Sequence, residues 1–195
     1  MSTQPKTFLT PEQYLEIERK AEFKSEYYQG EMFAMAGARS DHNLIVDSLI
    51  AHLYPQLRPR RYLIYSNDQR VHVSATGLYT YPDIVLVCGE PQFVDAEMDT
   101  LTNPALIIEV LCPSTEAYDR GRKFEHYRSL PSLREYLLVA SERVHVDLYT
   151  RQSGEHWLLT AAGRPEDTIE LSSVACKLTL AEIYEQTNLT SEPQP

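Results

Sequence analysis

The stretch Ala105–Leu111 (ALIIEVL) decides the architecture. Its apolar residues run on without period-two alternation, the pattern of a strand covered on both faces. Glu109 is the anomaly in it. An isolated charge inside such a strand is expensive unless it is paired, hydrogen-bonded or bound to a metal. Upstream, Asp83–Cys88 (DIVLVC) reads as a second buried strand, entered through Tyr81-Pro82, with Asp83 at its mouth. If the two strands are neighbours, both carboxylates meet at one edge of the sheet. Two anions held together repel, and one or both pKa values rise. A divalent cation removes that repulsion. Mg²⁺, for which Mn²⁺ can substitute, prefers octahedral oxygen ligands and keeps several waters. Asp83, Glu109, a backbone carbonyl, taken as that of Val110, and waters would suit it.

Outward from these strands the pattern alternates between helix and strand. Thr10 is the expected N-cap of a first helix, with Pro11 at its first position and Gln13 completing a capping box. The segment Phe23–Met35 interleaves aromatics with polar residues around Gln29-Gly30 and reads as a β-hairpin. Ser40 or Asp41 is expected to cap a helix running to about Tyr54, with Leu44, Ile45, Leu49 and Leu53 apolar, joined by Val46 and Ile50, and Pro55 and Pro59 closing it. Two short strands follow near Tyr62–Ser66 and Arg70–Ser74. After the central pair, Thr115–Ser129 reads as helix, ended by Pro131. Glu135–Ala140, Val144–Thr150 and His156–Thr160 read as strands, and Thr179–Glu185 as a last short helix. The fold class is therefore α/β (α+β), a mixed central sheet flanked by helices, with an N-terminal hairpin and C-terminal strands.

The 195 residues suffice for one domain with a sizeable core, taken as residues 7–185, and hydrophobic residues make up 43% of the chain, an ordinary globular value. Residues 1–6 and 190–195 read as disordered tails. No apolar run approaches the roughly 20 residues that span a bilayer, and the N-terminus lacks an apolar secretion-signal core. Cys88, Cys112 and Cys176 have no zinc-type spacing and read as reduced thiols of a cytoplasmic protein.

The formal charge of −10 argues against broad nonspecific binding to nucleic acid, whose backbone is held by Lys and Arg. Two local clusters remain. Arg58, Arg60 and Arg61 read as a solvated face. Arg120, Arg122, Lys123 and Arg128 lie on the helix after Glu109. Lys123 and Tyr127 are four apart and share a face of it. Lys123 alone reads as a surface lysine. Aimed at the carboxylates, it could steady or deprotonate an attacking water, or stabilise charge on a phosphoryl group. Gly121 in this helix suggests close approach of another backbone. The structural alternative pairs Glu109 with an arginine such as Arg70 or Arg122 and leaves Asp83 as a turn cap. Glu26, before the hairpin turn, is a candidate third acid, or else an exposed strand residue paired with a cation; Glu31 reads as structural. His42, near a helix N-terminus, would find its positive form disfavoured by the dipole. It could bind phosphate or orient a water as neutral imidazole, or be a satisfied structural residue. The other five histidines show no metal spacing.

Tyr81-Pro82-Asp83 before an apolar strand, then Glu109-Val110 inside the next, resembles the PD-(D/E)XK motif of the restriction-endonuclease-like superfamily. The wider pattern resembles its Uma-two branch, a family of endonucleases. The resemblance rests on Glu26–Glu31 (EYYQGE), His42-Asn43, Tyr81–Ile84 (YPDI), Ile108–Thr115 (IEVLCPST), Asp119–Phe124 (DRGRKF), Tyr127 and Pro131–Tyr136 (PSLREY), in that order across nearly the whole chain. It implies a nuclease fold, Mg²⁺-assisted hydrolysis of DNA phosphodiester bonds with Asp83 and Glu109 at the metal, and a homodimer. The motif's lysine belongs two residues after the acid, where this chain has Leu111. The resemblance implies that Lys123, on the following helix, replaces it. If the ammonium does not reach the same point, the chain is a catalytically silent binding or regulatory module on that fold. A third reading, hydrolysis of a small phosphate ester, needs only the carboxylate pair.

Overall fold

The computed structural model describes residues 8–189, so the expected tails and Thr7 lie outside the described residues. Helix α1 (Pro11–Glu18) begins at Thr10, whose hydroxyl accepts from the Gln13 N–H while the Gln13 side chain accepts from the Thr10 N–H. Strands β1 (Ser25–Tyr28) and β2 (Glu31–Ala34) form the hairpin. Its turn residues Gln29 and Gly30 both have positive φ (48° and 86°), the type I′ geometry that matches strand twist. A Cβ at Gly30 would stand 2.7 Å from Phe8, so no larger residue fits.

Helix α2 (Ser40–Leu57) is longer than expected and includes Pro55. Arg39 rather than Ser40 or Asp41 holds the N-cap position, without a side-chain cap. Pro55 removes one hydrogen bond near the end, and the helix survives because its apolar face continues: Ile45, Leu49, Leu53 and Leu57, each four apart, are all fully buried. Strands β3 (Leu63–Ser66), β4 (Arg70–Val73), β5 (Leu78–Thr80), β6 (Ile84–Val87), β7 (Thr100–Leu101) and β8 (Leu106–Leu111) follow. The chain then winds through α3 (Glu116–Tyr118), a wide π turn (Asp119–Lys123) and α4 (Phe124–Tyr127). The last part holds β9 (Glu135–Ala140), β10 (Val146–Arg151), β11 (Trp157–Ala162), β12 (Thr168–Leu171), β13 (Cys176–Thr179) and α5 (Leu180–Ile183), the last capped by Thr179.

Strands β11-β10-β9-β8-β6-β3 form a mixed six-stranded sheet in which β8 and β9 are parallel and joined across the α3–α4 segment. Strands β2-β1-β5-β4-β7 form a second sheet of five, and β12-β13 a hairpin. Strands β1, β2 and β4 of this sheet are the expected hairpin and the expected strand near Arg70–Ser74, whereas β5 and β7 carry no strand signal in the sequence. They lie inside Ser74–Tyr81 and Gly89–Asn103, segments that read as loops in the sequence. Leu78, Tyr79 and Thr80 are buried, so that part of the first segment is sheet rather than a free loop.

Alternate residues of β6, β8 and β9 divide between two cores. Ile84, Leu86, Leu106, Ile108, Leu137 and Val139 pack with α2, α5 and the β12-β13 hairpin. Val85, Val87, Ile107, Leu111, Tyr136 and Leu138 face the second sheet and α4. Burying each such side chain contributes about 1.5–3 kcal/mol relative to leaving it in water. The β12-β13 hairpin is tied to the sheet by Glu135, which accepts from the Ser172 N–H (2.9 Å), the Ser172 hydroxyl (2.8 Å), the Ser173 N–H (3.1 Å) and the Ser173 hydroxyl. No helix among the described residues is long and apolar enough to cross a membrane, and the three cysteines are free thiols.

Candidate active site

Strands β6 and β8 are antiparallel neighbours, with Ile84 opposite Ile108. One step along that register sets Asp83 against Glu109. Glu109 belongs to the face that looks toward the second sheet, between Ile107 and Leu111, and Asp83 stands at the entry to β6. The Val110 N–H donates to Asp83 Oδ2 at 2.7 Å, so the backbone group that Val110 turns toward Asp83 is its amide. His42, in the first turn of α2, sets Nε2 3.2 Å from the same oxygen. Burial pulls the His42 imidazole down, but the hydrogen bond and charge of Asp83 outweigh it and the net direction is up. The expectation that the helix N-terminus would disfavour a charged His42 is corrected by that carboxylate.

The π turn brings Lys123 inward. It is 6% exposed, not a surface lysine. Its Nζ lies 2.9 Å from Glu109 Oε1, 3.3 Å from Asp119 Oδ1 and 3.6 Å from Glu26 Oε1. One turn on, the Tyr127 hydroxyl donates to Glu109 Oε1 at 2.9 Å. Glu26 enters from β1, where it accepts from the Thr80 hydroxyl. Five of the sequence-derived residues, Asp83, Glu109, Lys123, Tyr127 and Glu26, with His42 behind Asp83, therefore share one site.

Burial pushes the Glu109 carboxyl up to about 8; Asp119 and Asp83 add to the shift, while Lys123 opposes it. Burial would strip Lys123 of its proton, yet Glu109, Glu26 and Asp119 together hold its pKa well above the ordinary lysine value. Lys123 is therefore a fixed ammonium in this arrangement. Four carboxylates, those of Glu26, Asp83, Glu109 and Asp119, face one lysine and one histidine.

Among the described residues no three His, Cys, Asp or Glu side chains are gathered closely enough to hold a metal by themselves. The donor chemistry nevertheless fits Mg²⁺, which is bound through one or two carboxylates with waters filling the remaining positions. Hydrogen bonds among the described residues fall on Asp83 Oδ2 and Glu109 Oε1, leaving Asp83 Oδ1 and Glu109 Oε2 without one.

Neither arginine pairs with Glu109. Arg70 bonds Asp99 (2.8 Å) and the Thr100 hydroxyl (3.0 Å), and Arg122 lies over the Tyr28 ring (5.2 Å). The expected basic face on α3–α4 is broken up. Arg120 is bonded to Glu116 and Asp147, Lys123 is inside, and Arg122 and Arg128 are exposed. Gly121 serves no close approach, since a Cβ there would meet nothing within 4 Å. Its place in the π turn is the finding instead. Sequence reasoning missed Asp119 and Thr80. Asp119 stands four residues before Lys123, a helical pairing distance that could have flagged it. Thr80 lay in the unrecognised strand β5 and carried no signal.

Residues 11–181 match the family model Uma2, described as "Putative restriction endonuclease". The chain belongs to the Uma2 family. Two uncharacterized proteins of Synechocystis sp. are similar to this Uma2 chain. One is 37% identical over 164 residues, covering 84% of this chain and 93% of its own. The other is 35% identical over 176 residues, covering 90% and 91%. The crystal structure of a "putative nuclease belonging to DUF820" from Anabaena variabilis is similar with a TM-score of 0.72 at 17% identity, covering 91% of this chain and 98% of that one. At that identity the likeness establishes a shared fold.

Proposed function

We propose that this Uma2 chain is a divalent-cation-dependent endonuclease that hydrolyses phosphodiester bonds in DNA at Asp83, Glu109 and Lys123. The observation that carries the reading is the 2.9 Å contact between Lys123 Nζ and Glu109 Oε1. An ammonium from the helix after β8 reaches the acid of β8, although Leu111 occupies the motif's lysine position.

Asp83 and Glu109 would hold Mg²⁺ through their unengaged oxygens, with Glu26 and the Val110 carbonyl as further candidates. When bound, the cation supplies Lewis acidity at the phosphoryl oxygen and lowers the pKa of a coordinated water. The chain's own groups do the rest. Val110 N–H and His42 fix the Asp83 carboxylate, and Tyr127 fixes that of Glu109. Lys123 keeps its proton, so its part is to orient the attacking water and stabilise charge on the phosphoryl oxygens rather than to abstract a proton. Burial around Glu109, Lys123 and Tyr127 keeps competing water away and strengthens each contact.

The test is hydrolysis of a supercoiled plasmid and of a single-stranded DNA circle with Mg²⁺, Mn²⁺ or EDTA. Cation-dependent cutting should vanish in Asp83→Ala and Glu109→Gln and fall at least about 100-fold in Lys123→Met, the scale of losing one preorganised electrostatic group. Cutting that survives Asp83→Ala would refute the assignment. No cutting of either DNA by the folded wild type would favour the silent module.

A further inference from the structure

Next to the carboxylate site lies a cleft of about 270 Å³ lined by Glu26, Tyr28, Phe33, Leu78, Tyr118 and Arg122. Its construction follows from strand alternation. Glu26 and Tyr28 point to one face of β1, and Phe33 stands directly across from Glu26 on β2. Tyr27 points the other way and stacks with Tyr14 at 4.9 Å. Leu78 reaches the cleft from β5, and Tyr118 and Arg122 reach it from the helical segment that carries Lys123. Glu26 belongs to both places, 3.6 Å from Lys123 and in the wall of the cleft.

Two features of the lining suit a ligand. Phe33 leaves 48% of its surface in water, although it sits in a concave wall with apolar neighbours. Arg122 lies over Tyr28 with its guanidinium 5.2 Å from the ring centre, and it makes no ion pair among the described residues. Aromatic faces beside an unpaired guanidinium form a stacking platform for a flat π system with a phosphate next to it. The volume lies just under the roughly 300 Å³ at which pockets for drug-sized ligands begin, which suits one ring system rather than a stacked pair.

We propose that this cleft is a nucleobase subsite that takes one unpaired base of single-stranded DNA and sets the neighbouring phosphate toward Lys123 and Glu109. The proposal rests on the nuclease reading and deepens it by naming the substrate class. A base in a duplex is stacked and paired, and extruding it costs a few kcal/mol, whereas an unpaired base enters with little loss. Phe33 supplies the open ring face, Tyr28 walls the cleft between Arg122 and the edge-on His126 ring at 4.8 Å, and Arg122 meets the backbone phosphate. Stacking tolerates every base, so binding at this cleft carries little sequence preference.

The test is fluorescence anisotropy with a labelled short single strand and with the duplex of the same sequence, in Ca²⁺ buffer, using wild type, Phe33→Ala and Tyr28→Ala. Phe33 is exposed, so its removal leaves the fold intact, and circular dichroism checks both variants. The single strand should bind tighter than the duplex. Phe33→Ala should weaken single-strand binding roughly 5- to 100-fold, the range for losing one base–aromatic stack, Tyr28→Ala should weaken it through loss of the ring that holds Arg122, and both should leave duplex binding unchanged. Equal affinity for duplex and single strand, or single-strand binding indifferent to Phe33→Ala, would overturn the subsite. The nuclease reading fails separately. Phe33-dependent single-strand binding with no hydrolysis under any cation would refute the nuclease and keep the subsite. Hydrolysis that prefers duplex and ignores Phe33→Ala would do the reverse.

Discussion

Lys123 Nζ and Glu109 Oε1 stand 2.9 Å apart in a buried setting, one carried by a π turn and the other by the central strand β8. The wide turn matters because it directs Lys123 inward while leaving Arg122 exposed on the cleft wall. Removing Lys123 leaves Glu26 and Asp119 beside Glu109 without their shared cation, and removing Glu109 takes the nearest carboxyl from a buried ammonium, changes larger than the loss of a surface pair.

Lys123→Met should therefore destabilise the fold by roughly 3–5 kcal/mol in urea unfolding, because Glu109, Asp119 and Glu26 lose their shared cation. Added Mg²⁺ should recover part of that loss. A change under about 1 kcal/mol would mean that the carboxylates are already neutral or solvated.

The Glu109 carboxyl sits at about 8 in the folded chain and near 4.3 unfolded. The unfolded chain thus releases this proton at lower pH than the folded one. Its effect is a loss of stability as pH rises from about 4.3 to 8, at most about 1.4 kcal/mol per unit, flattening above 8. The raised His42 acts in the same direction, its stabilisation present below about 6.5 and lost as pH rises through its folded value. Thermal melts of metal-free protein across this range should decline, and Glu109→Gln should flatten the slope. A slope unchanged in Glu109→Gln would contradict the assignment.

Tyr127→Phe removes one donor to a buried carboxylate and should cost roughly 1–3 kcal/mol of stability. It leaves Lys123 and Asp83 in place, so cation binding should survive in calorimetry. Loss of cation binding in this variant would make Tyr127 more than a positioning group.

Glu135 lies on the opposite core and serves as a control for the site. Glu135→Ala would leave the Ser172 and Ser173 donors unpaired and should cost roughly 3 kcal/mol or more. Glu135→Gln should cost less. Neither should alter cation binding, and a change in it would link the β12-β13 hairpin to the site.

The central strands and their acids were readable because burial on both faces writes an apolar run into the sequence, and Glu109 breaks it visibly. The first helix was readable because Thr10, Pro11 and Gln13 each have a local job. The second sheet was readable only in its β1-β2 hairpin and β4, since β5 and β7 are three and two residues long, too short for a periodic pattern. Pro55 hid the end of α2 because packing of Leu53 and Leu57 overrode a local breaker. The inward turn of Lys123 was suggested by the motif's missing lysine, but local helix rules describe α-helical spacing and carry no sign of a π turn. Thr80 escaped because it acquires its place from tertiary packing against Glu26, whereas Asp119 carried a local signal in its four-residue spacing to Lys123.

Calorimetric titration of Mn²⁺ into wild type and Asp83→Ala at pH 8 tests the carboxylate site most directly, because Asp83 is partly accessible and its loss spares the Lys123–Glu109 contact. Wild type should bind the ion with measurable heat, and Asp83→Ala, still folded, should lose that binding. Equal heats in the two proteins, or none in wild type even with DNA present, would contradict a cation site at Asp83 and Glu109 and leave the carboxylates a structural role.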